Sequence, residues 1–341
     1  MTAVGIDTHK ASLAACAVDA LGAPLAERTF VNNPAGHAAL ADWIQSVAPD
    51  AIVGIEGSSS YGAGLARFLL ADGAIVREVP PQLSNRERGR TRRPGKSDPT
   101  DALAIARVTV REPALPPVRL ADRTVEIRLL VQAREDAVTE AIRVRNRLHA
   151  DLVVLWPGYG ETVPNLLAQR HRRRVGGMLR HRSGVHVDLA RARLARLHVL
   201  DREARSLEAR IGELVGAHPL LEMHGVGLIT AAKLIAEAGD VRRFRSTDAF
   251  AMLAGLAPIP ASSGQVQRMR LNRGGNRQLN RAFYTIAMVQ AVRHPPARAF
   301  LARKAAEHKS PREAIRALKR QLVRPVFRLL LEGAPELSKA A

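Results

Sequence analysis

Short β-rich apolar runs open the chain, over 3–7 (AVGID) and 11–18 (ASLAACAV). A turn at Leu21-Gly22-Ala23-Pro24 separates them from a third run, Leu25 to Val31. Asn33-Pro34 reads as an N-cap with proline at the first helical position, where a missing N–H costs nothing. The helix it opens, about 34–48, places Leu40, Trp43, Ile44 and Val47 on one face. A fourth apolar run, 51–56 (AIVGIE), leads through a Gly/Ser turn to a helix near 62–72, and Ala74–Val79 is a further strand. Three adjacent strands followed by alternating helix and strand predict a mixed sheet with an antiparallel side and helices on its faces.

Beyond the sheet, residues 86–97 (RERGRTRRPGKS) carry six basic residues against one acid and read as a mobile loop or a phosphate-contacting arm. Helix resumes at Asp98-Pro99 to about Val110, and a Pro-rich joint from Glu112 to Val118 closes the first region. Apolar positions at helical spacing then predict two long charged helices, about 120–155 and 186–216, which pair as an antiparallel coiled-coil arm. Between them lie a break at Trp156-Pro157-Gly158 and a basic stretch, Gln169–Ser183, read as an RNA-contacting insert or a solvated loop. The remainder, about 218–335, is mostly helical, with Gly225-Val226-Gly227 between two helical patterns in the manner of a helix-hairpin-helix element. The expected division is 1–115, 116–217 and 218–341.

Composition narrows the partner. Among 341 residues, 52 Lys and Arg oppose 32 Asp and Glu, a net charge of +20, and that excess points to a polyanion. No apolar run is long enough to span a bilayer, and no Lys/Arg-faced helix backed by a bulky aromatic face suggests a membrane surface. The N-terminus lacks a signal-peptide pattern, and a single cysteine, Cys16, excludes an internal disulfide and a Cys-cluster zinc site. A soluble, cytoplasmic protein, nucleoid-associated when acting, is expected.

The acidic residues are placed where chemistry needs them. Asp7 ends the first strand and Glu56 the fourth. Asp98 and Asp101, three apart at the start of a helix, share a face. If strands one and four are neighbours, Asp7 and Glu56 emerge side by side. Four carboxylates together repel unless a cation sits among them, and oxygen-only ligands select Mg²⁺, with Mn²⁺ as the alternative. Taken singly, Asp98 is a good N-cap and Asp101 favours the helix dipole.

A second constellation is Ala261-Ser262-Ser263-Gly264, followed by Arg268, Arg270, Arg273, Arg277 and Arg281 with no intervening acid. Clustered Arg can hold a phosphate while a serine attacks it, or the segment is a turn beside a DNA-binding helix. Further nucleic-acid contacts are expected from Arg90, Arg92, Arg93 and Lys96, from Arg172, Arg173 and Arg174, and from the hairpin amides at Gly225 and Gly227.

GIDTHK with Asp7, IVGIEGSSSYG with Glu56, and KSDPTDALAIA with Asp98 and Asp101 resemble the DEDD transposases of one group of bacterial insertion sequences. That group is related to the Piv-type invertases and includes the bridge-RNA-guided recombinases. HGVGLITAAKLIAEAGD, FAMLAGLAPIPASSG and RMRLNRGGNRQLNRAFYTIAM extend the resemblance to the C-terminal half. It implies an α/β plus α architecture: a RuvC-like, RNase H-type sheet domain, a helical coiled-coil linker and a mostly helical C-terminal transposase domain. It further implies a serine nucleophile at Ser263, with Ser262 the alternate, cutting and rejoining DNA through a phosphoserine with DEDD-bound Mg²⁺ assisting. Donor and target DNA, an element-encoded guide RNA and a homodimer or homotetramer are the implied partners.

Three other readings compete. A Holliday-junction-type nuclease would use the carboxylates alone. An actin-fold kinase is opposed by His9 and Lys10, which stand where a phosphate-binding Gly-Thr belongs. An architectural DNA binder leaves the acids unexplained. His171, His181 and His186 lack partners at ligand spacing, Trp156 reads as helix-end packing, and Cys16 as a core residue.

Overall fold

The computed structural model describes residues 2–58, 60–89, 98–113, 115–118, 123–260, 269–272 and 274–334, with the side chain of Asp98 outside that description. The chain divides into two compact units, Met1–Asp122 and Arg123–Ala341.

The first unit contains β1 (Ala3–Thr8), β2 (Ser12–Val18), β3 (Pro24–Val31), α1 (Pro34–Val47), β4 (Ile52–Glu56), α2 (Ala63–Ala71), β5 (Val76–Glu78), α3 (Pro81–Arg88) and α4 (Asp98–Arg111). The sheet order is β3-β2-β1-β4-β5. β1, β2 and β3 pair antiparallel, whereas β1, β4 and β5 run parallel, which is the expected mixed sheet. Asn33 caps α1 by accepting the Gly36 N–H, with Pro34 opening the helix as the sequence predicts.

Alternation along the strands gives each face its own cover. Val4, Ile6, Leu13, Val53 and Ile55 pack with Leu40, Trp43 and Ile44 of α1 and with Leu65 and Leu69 of α2. Ala3, Ala14, Cys16 and Val18 face Ala102 and Ala106 of α4. Burial pushes the Cys16 thiol up to about 12, so it stays protonated and behaves as a small apolar residue.

The tightest packing lies under α4. Gly5 and Gly54 are register partners across β1 and β4. A Cβ on Gly5 would overlap the Ala106 backbone nitrogen and the Ala102 carbonyl, and one on Gly54 would overlap the Thr109 hydroxyl. The two glycines are therefore the groove in which α4 rests.

In the second unit, α5 (Arg123–Leu155), α6 (Gln169–Arg180) and α7 (Val185–Val215) precede the C-terminal helices. α5 and α7 run antiparallel, as the ion pairs Arg134–Glu208 at 3.1 Å and Arg196–Glu140 at 2.8 Å require. Ala141, Val144, Leu148 and Leu152 meet Ala190, Leu194 and Leu197 between them. Trp156 packs against this cluster, with Arg182 stacked 5.8 Å from its ring centroid. α8 (Leu228–Ala238), α9 (Thr247–Leu253), the short β6 (Ile259–Pro260) and β7 (Met269–Arg270), α10 (Arg277–Arg293), α11 (Pro295–Ala306) and α12 (Pro311–Glu332) follow. The helices among them enclose Phe250, Leu279, Phe283, Ile286, Leu322 and Val326.

Three local expectations change. Part of the basic segment after 86 belongs to α3, which Pro81 opens; residues 90–97 lie outside the described residues. The 169–183 stretch is largely α6, a helix where a solvated loop is one of the two sequence readings. The element at Gly225 has a single 3₁₀ turn, Pro219–Glu222, as its first limb. Gly216, at φ +57, ends α7, and Pro219 opens the new turn, so no full helix forms there. Among the described residues, no helix is long and apolar enough to cross a membrane.

Replacing Gly5 with Ala forces a methyl against α4 backbone that no rotamer can relieve. We expect G5A to lower the unfolding free energy of the full-length protein by about 3 kcal/mol, read from urea denaturation, and to reduce DNA cleavage with it.

Candidate active site

Asp7 and Glu56 are direct register partners at the C-terminal ends of the parallel pair β1 and β4. Parallel strands present side chains at register positions on one face, so the carboxylates stand next to each other on the side that α4 covers. Asp7 lies 3.2 Å from His9 Nε2. Glu56 accepts a hydrogen bond from the Ser84 hydroxyl of α3 at 2.5 Å, and its backbone carbonyl accepts from the Thr8 hydroxyl at 2.9 Å.

The orientation of α4 brings Asp101 to this same end. Further along the helix, Arg107 Nε donates to the Gly22 carbonyl at 2.9 Å, beyond the opposite end of β1. In its first turn, Asp101 is buried and meets Arg88 of α3 at 2.7 Å, on the helix whose Ser84 reaches Glu56. A second tie, Arg111 to Glu87 at 2.7 Å, holds α3 along α4. Asp98 opens the helix, but its side chain lies outside the described residues.

The donor set is oxygen-only, which suits a hard divalent cation and not zinc. Among the described residues, no group of three or more His, Cys, Asp and Glu side chains is arranged to hold a metal ion. Asp7, Glu56 and Asp101 instead meet His9, Ser84 and Arg88. The chemistry of the set fits a divalent ion. Here the Arg88 guanidinium supplies the positive charge that buried Asp101 needs.

The other expected residues divide sharply. Ser262, Ser263, Arg268, Arg273, Arg90, Arg92, Arg93 and Lys96 lie outside the described residues. Arg270 and Arg277 are exposed, on β7 and at the start of α10. Gly225 adopts φ +87, and Gly227 caps α8 with open space where a side chain would be. Arg173 and Arg174 are exposed on α6. Arg172 is a correction: it is buried, paired with Asp201 and donating to the Leu167 carbonyl at 3.3 Å. The helical turn that exposes its two neighbours turns Arg172 inward, so it is a structural cation and no surface contact.

Two further carboxylate partners escape sequence reasoning. Ser84 and Arg88 sit on a helix with almost no apolar residues, and only the prolines before it mark its start. Glu78, at the end of β5, is the register partner of Ile55 and so lies on the face opposite Asp7 and Glu56. It accepts from the Ser58 hydroxyl and the Gly57 and Ser58 N–H groups, bracing the turn that follows Glu56. Burial, with a smaller contribution from the Glu56 charge, pushes its carboxyl up to about 7.

A mixed sheet with paired carboxylates at the C-terminal ends of its central parallel strands, in a strongly basic chain, is the setting of a nucleic-acid-processing enzyme. Comparison with known families gives the particular one. A DEDD-type model described as "Transposase" matches residues 4–157, and the model "Transposase IS116/IS110/IS902 family" matches 217–302. The chain is 29% identical over 332 residues to the insertion element IS900 uncharacterized 42 kDa protein of Mycobacterium paratuberculosis, covering 82% of each. It is 26% identical to the insertion element IS116 uncharacterized 44.8 kDa protein of Streptomyces clavuligerus, covering 96% of this chain and 94% of that one. The protein belongs to the IS110/IS116/IS902 family of insertion-element transposases and is a DNA-cutting and rejoining enzyme. Among solved structures, T. thermophilus RuvC in complex with Holliday junction substrate aligns over 35% of this chain and 99% of its own, at 18% identity and a TM-score of 0.28.

Glu78 yields a pH prediction. A carboxyl raised from 4.5 to about 7 on folding stabilises the native state while protonated. Its contribution is fully present below pH 4.5 and is lost as pH rises through 7. In metal-free protein, we expect Glu78→Gln to remove a decline on the order of 2–3 kcal/mol across that window, measured by denaturant unfolding at each pH. Parallel curves for wild type and E78Q would refute it.

Proposed function

We propose that this transposase cuts and rejoins DNA at a divalent-metal site formed by Asp7, Glu56, Asp98 and Asp101, with Ser263 as the nucleophile. The observation that carries the reading is the in-register Asp7–Glu56 pair, at the same end of the sheet as Asp101 on α4. A bound Mg²⁺ or Mn²⁺ would supply positive charge to the attacking and leaving oxygens of a phosphodiester. Asp7 and Glu56, fixed on adjacent strands, would hold it from the sheet, and Asp98 and Asp101 from the helix. Ser84 and Arg88 keep Glu56 and Asp101 in place until then.

In the serine step, Ser263 Oγ forms a bond to phosphorus as the bond to the leaving deoxyribose oxygen breaks, and the serine proton passes to a base or to water. The reverse attack by a second DNA hydroxyl releases the serine and rejoins the strand. Support for Ser263 comes from the resemblance of FAMLAGLAPIPASSG to its family. The same resemblance supports an element-encoded guide RNA, pairing with donor and target DNA, and a homodimer or homotetramer. The net charge of +20 suits two polyanionic partners at once. The antiparallel α5–α7 pair is read as a coiled-coil arm, with 1–115 as the sheet domain, 116–217 as the linker and 218–341 as the transposase domain.

One observation favours a second reading. The oxygen-only set of Asp7, Glu56 and Asp101 suits metal-assisted hydrolysis by itself, so a RuvC-like nuclease acting through the carboxylates alone, without Ser263, is the competing mechanism.

A suicide DNA substrate with Mg²⁺ and copurified RNA separates the two. With Ser263 as nucleophile, wild type gives a protein-linked DNA band and Ser263→Ala gives none. Free cleaved DNA from both proteins would establish the carboxylate-only mechanism. Asp7→Asn is expected to lose cleavage by about a hundred-fold or more under either.

A further inference from the structure

Among the described residues, a buried lysine in the C-terminal helices has no acid paired with it. Lys319 of α12 is 8% exposed. Among the described residues its ammonium donates to Asn280 Oδ1 at 2.6 Å and stands 5.9 Å from the Tyr284 ring centroid. The Asn280 amide is fixed from its other end, donating to the carbonyls of Ala254 at 2.9 Å and Gly255 at 3.3 Å. Its oxygen is thereby committed to the lysine. An ammonium has three donors, and a buried one without a carboxylate is costly unless an anion completes it. Burial and the nearby Arg316 charge both lower the Lys319 pKa.

The lysine lines an open cavity of about 350 Å³ together with Arg277, Asn280, Arg281 and Tyr284. No acid lines it. The nearest carboxylate to Arg281, Glu135, lies 4.0 Å away and is engaged by Lys233. Arg277 and Arg281, one helical turn apart on α10, rim the opening with planar donors suited to phosphate oxygens. The wall behind is rigid, because Gly275 packs against the Gly255 backbone, at φ +65, too closely for any side chain.

We propose that this cavity binds a phosphodiester of a nucleic-acid strand, with Lys319 as its innermost ligand and Arg277 and Arg281 at its mouth. The proposal rests on the reading of the C-terminal domain as a DNA-handling domain and adds a built phosphate site to it. Three cations around one group account for its selectivity for a phosphate over a neutral ligand. Lys319 would touch the bound strand, and Asn280 would position Lys319.

The test uses the full-length protein with mixed-sequence duplex DNA, titrated over salt, and with inorganic phosphate at constant ionic strength. Lys319→Met, Arg281→Gln and Lys319→Arg are compared with wild type. The Arg281 side chain is 72% exposed, so R281Q reports on the site even if K319M fails to fold. We expect K319M and R281Q each to weaken DNA binding and to reduce the slope of log Kd against log salt by about 0.9, the signature of one lost phosphate contact. K319R should restore the slope. Phosphate should raise the wild-type melting midpoint, compete with DNA, and leave K319M unmoved. Wild-type slopes in both K319M and R281Q would overturn the proposal. So would phosphate that stabilises K319M as fully as wild type, or that stabilises wild type without competing with DNA. Ser263→Ala should bind with the wild-type slope. If wild type still links to DNA while K319M and R281Q keep the slope, the pocket alone fails. If the slopes change and no linkage forms, the serine mechanism alone fails.

Discussion

The close approach of α4 to the sheet at Gly5 and Gly54 is the constraint on which the carboxylate site depends. Ordinary side chains on the two strands would hold a helix further from the sheet. Here two glycines in register leave no Cβ between them and the helix, and the Ala102–Ala106 backbone and the Thr109 side chain drop into the gap. That contact fixes the depth, rotation and register of α4 on β1 and β4. Asp101 follows directly before Ala102, and Asp7 lies two residues beyond Gly5 on the same face. The distance between helix and strand carboxylates is thus set by backbone packing, which tolerates far less drift than a loop.

Such a site has an electrostatic cost that the surrounding residues offset. Asp101 is buried, and buried carboxylates need a cation or several donors. α3 supplies both, with Arg88 on Asp101 and Ser84 on Glu56. Acidic groups in a chain of net charge +20 also work against the approach of a phosphate backbone unless a cation lies between them. The same reasoning runs in reverse in the C-terminal helices, where, among the described residues, Lys319 is buried beside cations with no acid paired to it.

Much of this was legible in the sequence, for identifiable reasons. The strands of the first unit alternate or run apolar, and Asn33-Pro34 announces α1, so the sheet and its mixed order could be read directly. The terminal positions of Asp7 and Glu56 followed from it. What failed did so where apolar periodicity is absent. α3 has no hydrophobic stripe, and its role is to bring Ser84 and Arg88 to the acids. Arg172 lies in a run of three arginines whose facing is set by α6 packing on α7, which composition does not encode. Gly5 and Gly54 look like two unrelated weak strand residues until pairing puts them side by side. Lys319 did leave a trace, since it occupies an otherwise apolar position between Ile315, Leu322 and Val326 on α12.

The convergence of the strand and helix carboxylates on one cation is measured most directly by Mn²⁺ binding to the full-length protein, followed by the electron paramagnetic resonance of the free ion. Wild type should bind Mn²⁺ saturably, and D7N, E56Q and D101N should each weaken that binding by about ten-fold or more. Mn²⁺ binding that is unchanged by all three substitutions would place the metal elsewhere and contradict a shared site.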